Sequence, residues 1–144
     1  MTDKLIAEAK SWLKSGILNQ EGKNYSKSVY ALEMTLEMAL KSVVASSGRD
    51  APRRHDIIPP LEELILSKPK IFSTEFKNSF ISIKPVFMEL LVVRQASTYS
   101  YETSIKEEDF RTIFEQNYHP VENMIEACEK ELKRKEGNLS EKKK

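Results

Sequence analysis

The sequence has few of the residues on which several common kinds of site depend. Its single cysteine, Cys128, excludes an intramolecular disulfide, and two histidines do not predict a zinc site of ordinary spacing. Its four glycines form no glycine-rich phosphate loop. No apolar run approaches the length of a membrane span, and no signal peptide is recognisable. We therefore expect a cytoplasmic protein without a membrane association, a metal or a cofactor.

An excess of charge of one sign is also lacking. The chain has 23 Lys and Arg against 22 Asp and Glu, a net charge of +1, which argues against a whole-molecule attraction to nucleic acid but leaves a local basic patch open. Its 144 residues predict one domain with a sizeable core. We assign residues 1–135 to this domain and residues 136–144 to a charged, flexible tail.

Apolar residues recur with a helical period, and no segment alternates as a strand does. This pattern predicts helices over about residues 3–20, 25–47, 61–66, 73–97 and 104–132. The second is apolar on almost every side, so we expect it to be central and buried. Pro85 predicts a kink or a restart within the fourth helix, whereas the apolar stripe continues straight through Pro120 and favours one kinked helix there.

One arginine lies on an apolar stripe. Phe87, Leu90 and Arg94 are spaced at i, i+3 and i+7, and Tyr101 returns to the same side if the helix persists. A guanidinium on a core-facing stripe is costly unless it is paired or opens onto a wet cleft. This position therefore indicates a site without identifying its ligand.

Two other segments offer polar groups for such a site. On the second helix, Glu37 and Lys41 have the favourable order for an ion pair. They form either an ordinary surface pair or part of a polar cluster with Arg94. The loop at residues 48–60 is basic and includes Arg54 and His55, so it is either a solvated loop or a phosphate contact. For His55, a structural role is the simpler interpretation.

Taken together, these features resemble HEPN domains over about residues 5–132. The resemblance rests on Glu37-x-x-x-Lys41, Gly48, Arg54-His55-Asp56, and Arg94 followed by Tyr99 and Tyr101. It implies an all-α, up-and-down bundle of four main helices plus a short helix. It also implies a homodimer with a polar cleft at its interface.

The resemblance implies two functional branches. Many HEPN domains are metal-independent ribonucleases with an arginine followed, after four residues, by a histidine. In toxins paired with minimal nucleotidyltransferases, a tyrosine two positions further on is modified with AMP. Here Arg94 and Tyr101 match, but Tyr99 fills the histidine position. A phenol, with an ordinary pKa of about 10, is a poor base near neutral pH, so the motif favours binding over cleavage.

Three hypotheses follow. The first is a non-catalytic module that binds a nucleotide or an RNA phosphate and acts with a nucleotidyltransferase, through Arg94, Glu37, Lys41, Tyr99, Tyr101 and Arg54. The second is a divergent ribonuclease toxin that uses Arg94 with Tyr99 or His55. The third is an assembly scaffold in which Arg94 pairs with Glu37 only to satisfy a buried charge.

Overall fold

The computed structural model describes the backbone of residues 2–98 and 105–143, and all of its regular structure is helical. The helices are α1 (Thr2–Glu21), α2 (Tyr25–Ser46), α3 (Ile58–Ser67), α4 (Thr74–Thr98) and α5 (Glu107–Lys143), with a 3₁₀ turn at Pro69–Ile71. They form the expected up-and-down bundle of four main helices plus the short α3. No helix in the described part of the chain is long and apolar enough to cross a membrane.

Helix α2 is the centre of the bundle, as its apolar surface predicts. It packs against α1, α4 and α5, and its core residues include Leu32, Leu36 and Leu40, which have no exposed surface. A tight turn at residues 22–24 connects it to α1. At its other end Gly48 has a φ of 88°, a conformation that glycine adopts without a steric penalty. The predicted C-terminal stop is therefore confirmed.

Two predicted helix starts are wrong. Helix α3 begins at Ile58 rather than Leu61, because Pro59 and Pro60 lie in its first turn, where the missing N–H groups have no intrahelical partner to lose. Helix α5 begins at Glu107, and the backbone N–H of Lys106 donates to the Asp109 carboxylate at 3.1 Å. Ser104, where the pattern predicts the start of this helix, lies outside the described residues.

Both internal prolines lie within continuous helices. Helix α4 runs past Pro85, which excludes the restart and leaves the kink of the two alternatives predicted there. Helix α5 runs past Pro120 as one helix, as the continuous stripe predicts. Helix α5 also continues to Lys143, so the backbone of residues 136–143, which were assigned to the charged tail, is helical. The flexibility of that tail stays a prediction.

Candidate functional site

Arg94 lies near the carboxyl end of α4, on the side of the helix that faces the core. Phe87 and Leu90, which precede it on the same stripe, have no exposed surface, and the Arg94 side chain is 19% exposed. The guanidinium therefore lies at the edge of the core, where each of its N–H groups needs a partner.

The main partners of Arg94 come from one turn of α2. Its Nη1 donates to the Glu33 carboxylate, and the Met34 sulfur lies 3.4 Å from the same nitrogen. The guanidinium carbon lies 4.8 Å from the centre of the Tyr30 ring, and Nη2 is 3.4 Å from the Tyr30 hydroxyl. Tyr30, Glu33 and Met34 are spaced at i, i+3 and i+4, so they face α4 together.

The direct pairing of Arg94 with Glu37, which belongs to the scaffold hypothesis, is not found among the described residues. Glu37 lies one helical turn further along α2 than Glu33, beyond the level at which the guanidinium meets that helix. Its carboxylate instead accepts from Lys41 at 3.4 Å and is 2.7 Å from Nδ1 of His55.

His55 connects the two ends of this cluster. Its Nδ1 faces the Glu37 carboxylate and its Nε2 lies 3.2 Å from Nη2 of Arg94. Because a guanidinium only donates, Nε2 accepts from Arg94 and the Nδ1–H donates to Glu37, which selects one neutral tautomer. The His55 side chain is 57% exposed, so the cluster reaches solvent.

The cluster therefore runs without a break from Lys41 through Glu37, His55 and Arg94 to Glu33. Glu33 and Glu37 are almost completely buried, and Lys41 is only slightly exposed. Glu33, Glu37 and Lys41 are spaced four residues apart, so the sequence predicts a narrow polar line along α2. Only the packing of α4 and of the loop against α2 shows that these residues belong to a buried cluster.

Glu33 is the most perturbed carboxyl group of the cluster. Its side chain has no exposed surface, and its Oε1 has no hydrogen-bond partner among the residues that the structure describes. Burial raises its pKa, the charge of Glu37 raises it further, and Arg94 and Lys41 lower it, leaving a pKa of about 7. This carboxyl group therefore changes its charge near neutral pH.

Three of these groups have the chemistry of metal ligands. One donor atom each from Glu33, Glu37 and His55 lie within 4.8 Å of one another. However, the Arg94 guanidinium contacts both Glu33 and His55, and the Lys41 ammonium contacts Glu37. These cations already supply the positive charge that a metal ion would bring, so the donor set does not fit a metal without displacing Arg94.

The other predicted site residues are placed differently. Arg54 is exposed on the loop beside His55, and no hydrogen bond connects it to the cluster. Tyr99 and Tyr101 lie outside the described residues. Glu33 and Tyr30 were not among the predicted site residues; a signal for both was their position at i−4 and i−7 from Glu37 on the same helix.

The fold and the site together define the class of protein. It is a small all-α domain with a charged cluster between its central helix, its longest loop and α4. The model of the HEPN domain family matches residues 2–131, nearly the whole chain. The protein therefore belongs to the HEPN family. No curated protein and no solved structure is significantly similar to it.

Proposed function

We propose that this HEPN module binds the phosphate group of a nucleotide or of RNA at Arg94 and His55. The observation that carries the proposal is the meeting of these two side chains, 3.2 Å apart, at a point where the core cluster reaches solvent. A guanidinium is well suited to phosphate oxygens, and His55 holds the Arg94 guanidinium at the solvent edge of the cluster by accepting from its Nη2. Lys41 adds positive charge next to them.

The rest of the cluster positions these groups. Glu37 fixes the ring of His55 through Nδ1, and the Tyr30 ring supports the flat face of the guanidinium. Arg54 extends the basic surface of the same loop, and Tyr99 and Tyr101 follow Arg94 in the chain, where we expect them to contact the rest of the ligand. The site we propose is thus assembled from α2, the loop and α4 of one chain.

Thermal unfolding with added AMP, ADP, ATP or a short RNA tests this proposal. A nucleotide at about a hundred times its Kd should stabilise the wild-type protein by about 2.7 kcal/mol and raise its Tm by several degrees. We expect Arg94→Ala to lose this shift and to keep its helical circular dichroism. Arg53→Ala, which removes an exposed arginine of the same loop, should keep the shift. A wild-type Tm that no nucleotide or RNA moves would contradict the proposal.

The position of His55 also favours a second function, metal-independent cleavage of RNA. The histidine absent from the position of Tyr99 would be supplied by the loop. With phosphate on Arg94, Nε2 of His55 would take the proton of the 2′-hydroxyl as this oxygen attacks phosphorus. The 5′-oxygen would leave with a proton from water, giving a 2′,3′-cyclic phosphate and a 5′-hydroxyl. Glu37 would stabilise the imidazolium.

Cleavage and binding are separated by one assay. Purified protein is incubated with structured RNA or tRNA in EDTA, beside His55→Gln and Arg94→Ala. Cleavage that either substitution reduces by about a hundredfold or more would make the ribonuclease the function. If the wild-type protein binds a nucleotide but leaves the RNA intact, the binding module remains as the only one of the two functions.

The proposal includes two protein partners. A second copy of the chain and a minimal nucleotidyltransferase are those that the resemblance implies, with Tyr101 as the residue modified by AMP. Intact mass spectrometry after co-expression with such an enzyme should show added AMP units, and Tyr101→Phe should remove them.

A scaffold, by contrast, would keep every property when Glu33 and Arg94 are replaced together by neutral residues of similar size.

A further inference from the structure

We infer that an anion binding at Arg94 is coupled to the uptake of a proton by Glu33, which makes the site bind more tightly at lower pH. This inference rests on the proposed phosphate site and concerns its regulation. The starting point is geometric: the Glu33 carboxylate is the anion that Arg94 already holds in the free protein.

Glu33 cannot leave this position when a ligand arrives. It lies in the middle of α2, which is packed by α1, α4 and α5, and its side chain has no exposed surface. Within the described part of the chain, its Oε1 has no hydrogen-bond partner that would stabilise a full negative charge. The remaining way to reduce repulsion between this carboxylate and an incoming phosphate is to neutralise it.

The charges around Glu33 support this coupling. Glu37 and Lys41 act on it from α2 and Arg94 from α4, while His55 contacts the far side of the guanidinium. From α1, Trp12 packs its ring edge-to-face with Tyr30, and α5 contributes no hydrogen bond or ion pair to Glu33 in the described residues.

The net charge of the cluster shows why a proton helps. With both glutamates ionised, two carboxylates balance the two cations, and an anion meets a neutral cluster. Protonating Glu33 leaves one net positive charge and removes the charge attraction between Glu33 and the Arg94 guanidinium, which then attracts the ligand more strongly. Because the pKa of Glu33 is about 7 in the free protein, this change is within reach at neutral pH.

The direction and window follow from linkage. Below pH 7 Glu33 is already mostly protonated. Anion binding therefore takes up few protons, and the affinity should change little with pH through this group. Above pH 7 each bound anion requires a proton from solution, and affinity should fall by up to about tenfold per pH unit. His55 contacts the same guanidinium, so the experiment has to separate its effect from that of Glu33.

Sodium sulfate is the probe, because it remains a dianion throughout this range. Its affinity for the full-length protein is measured by thermal shift at pH 6.5 and 8.5, with ionic strength held constant by chloride. We expect binding about 25-fold weaker at pH 8.5 for the wild-type protein. Glu33→Gln should bind sulfate with similar affinity at both values. His55→Gln should bind it more weakly but keep the pH dependence.

A second measurement needs no variant. In weakly buffered wild-type protein at pH 7.5, a pH electrode should record the uptake of about 0.7 proton per bound sulfate. Sulfate binding of equal strength at both pH values, with no proton uptake, would overturn the inference and leave the phosphate site intact. Loss of the pH dependence in His55→Gln rather than Glu33→Gln would also overturn it. If neither sulfate nor any nucleotide binds, the proposed site itself fails.

Discussion

At the scale of single residues, the carboxyl group of Glu33 is the most unfavourably buried group in this core. It is a carboxyl group without exposed surface, and one of its oxygens has no hydrogen-bond partner in residues 2–98 and 105–143. Its ion pair with Arg94 does not compensate fully for lost hydration, since the pKa is raised rather than lowered. The ionised form of Glu33 therefore destabilises the folded state relative to the protonated form.

This imbalance predicts a pH dependence of stability. The pKa of Glu33 rises from 4.5 to about 7 on folding, so the folded state binds more protons between these values. By linkage, the contribution of Glu33 to the free energy of unfolding should fall by about 3 kcal/mol as pH rises from 4.5 to 8. Glu33→Gln keeps the shape of the side chain and removes its titration. We expect its stability, relative to wild type, to improve by about that amount over this interval.

Urea unfolding of both proteins at pH 5, 6, 7 and 8 measures this difference. Glu63→Gln, on the exposed side of α3, is the matched control and should follow the wild-type curve. Parallel curves for Glu33→Gln and wild type would show that Glu33 has similar pKa values in the folded and unfolded states.

The residue scale is also where sequence reasoning reaches its limit. The inward position of Arg94 is predictable, because helical spacing places it in line with Phe87 and Leu90. Its partner is not, because the choice between Glu33 and Glu37 depends on how far α4 slides along α2. A shift of one turn, about 5.4 Å, exchanges the two glutamates, and no one-dimensional pattern records it.

At the scale of elements, side chains at the helix ends connect segments that are distant in sequence. The Ser73 hydroxyl caps α4 by accepting from the Phe76 N–H at 3.0 Å, at the position where the pattern predicts that this helix begins. Glu131 of α5 accepts from the Ser73 backbone N–H and hydroxyl, and Arg134 donates to Glu131 and to the Ile71 carbonyl. Burial raises the pKa of Glu131, but these hydrogen bonds lower it more. The start of α4 is thus fixed by α5.

A similar contact explains the misplaced start of α5. The sequence Ser104-Ile-Lys-Glu107 has the spacing of a capping box, which would direct the Glu107 carboxylate back to its own helix terminus. In the described residues, this carboxylate instead lies 3.4 Å from the backbone nitrogen of Ser26 in the first turn of α2. At the start of α5, the Asp109 carboxylate accepts from the backbone N–H of Lys106. A local motif predicts a helix start well only when no other helix terminus competes for the same carboxylate.

At the scale of the whole molecule, α4 is apolar on two sides. One side carries Phe87 and Leu90 into the core. On the other, Ile81, Met88 and Val92 are aligned at i, i+7 and i+11 and are more than half exposed. A helix that is apolar on both sides is normally covered on both. The stripe holds no charge, and a net charge of +1 opposes self-association only weakly, so a second copy of the chain is the partner we propose.

We therefore predict a homodimer formed through this stripe. Light scattering after size exclusion should give twice the chain mass of 16.6 kDa, and Met88→Lys with Val92→Lys should give the monomer mass. Leu18→Lys, at an exposed leucine of α1, is the control and should remain dimeric. A wild-type protein that is monomeric at high concentration would contradict this interface.

The same double variant decides where the site lies in the assembly. The resemblance to HEPN domains implies a cleft at the dimer interface, yet Arg94 and the exposed stripe lie on opposite sides of α4, since Arg94 is about 200° around the helix from Val92. Arg94, Glu33 and His55 also meet within one chain. The monomeric variant should therefore keep the sulfate binding and proton uptake of the wild type. Loss of both on dissociation would instead require a second chain to complete the site.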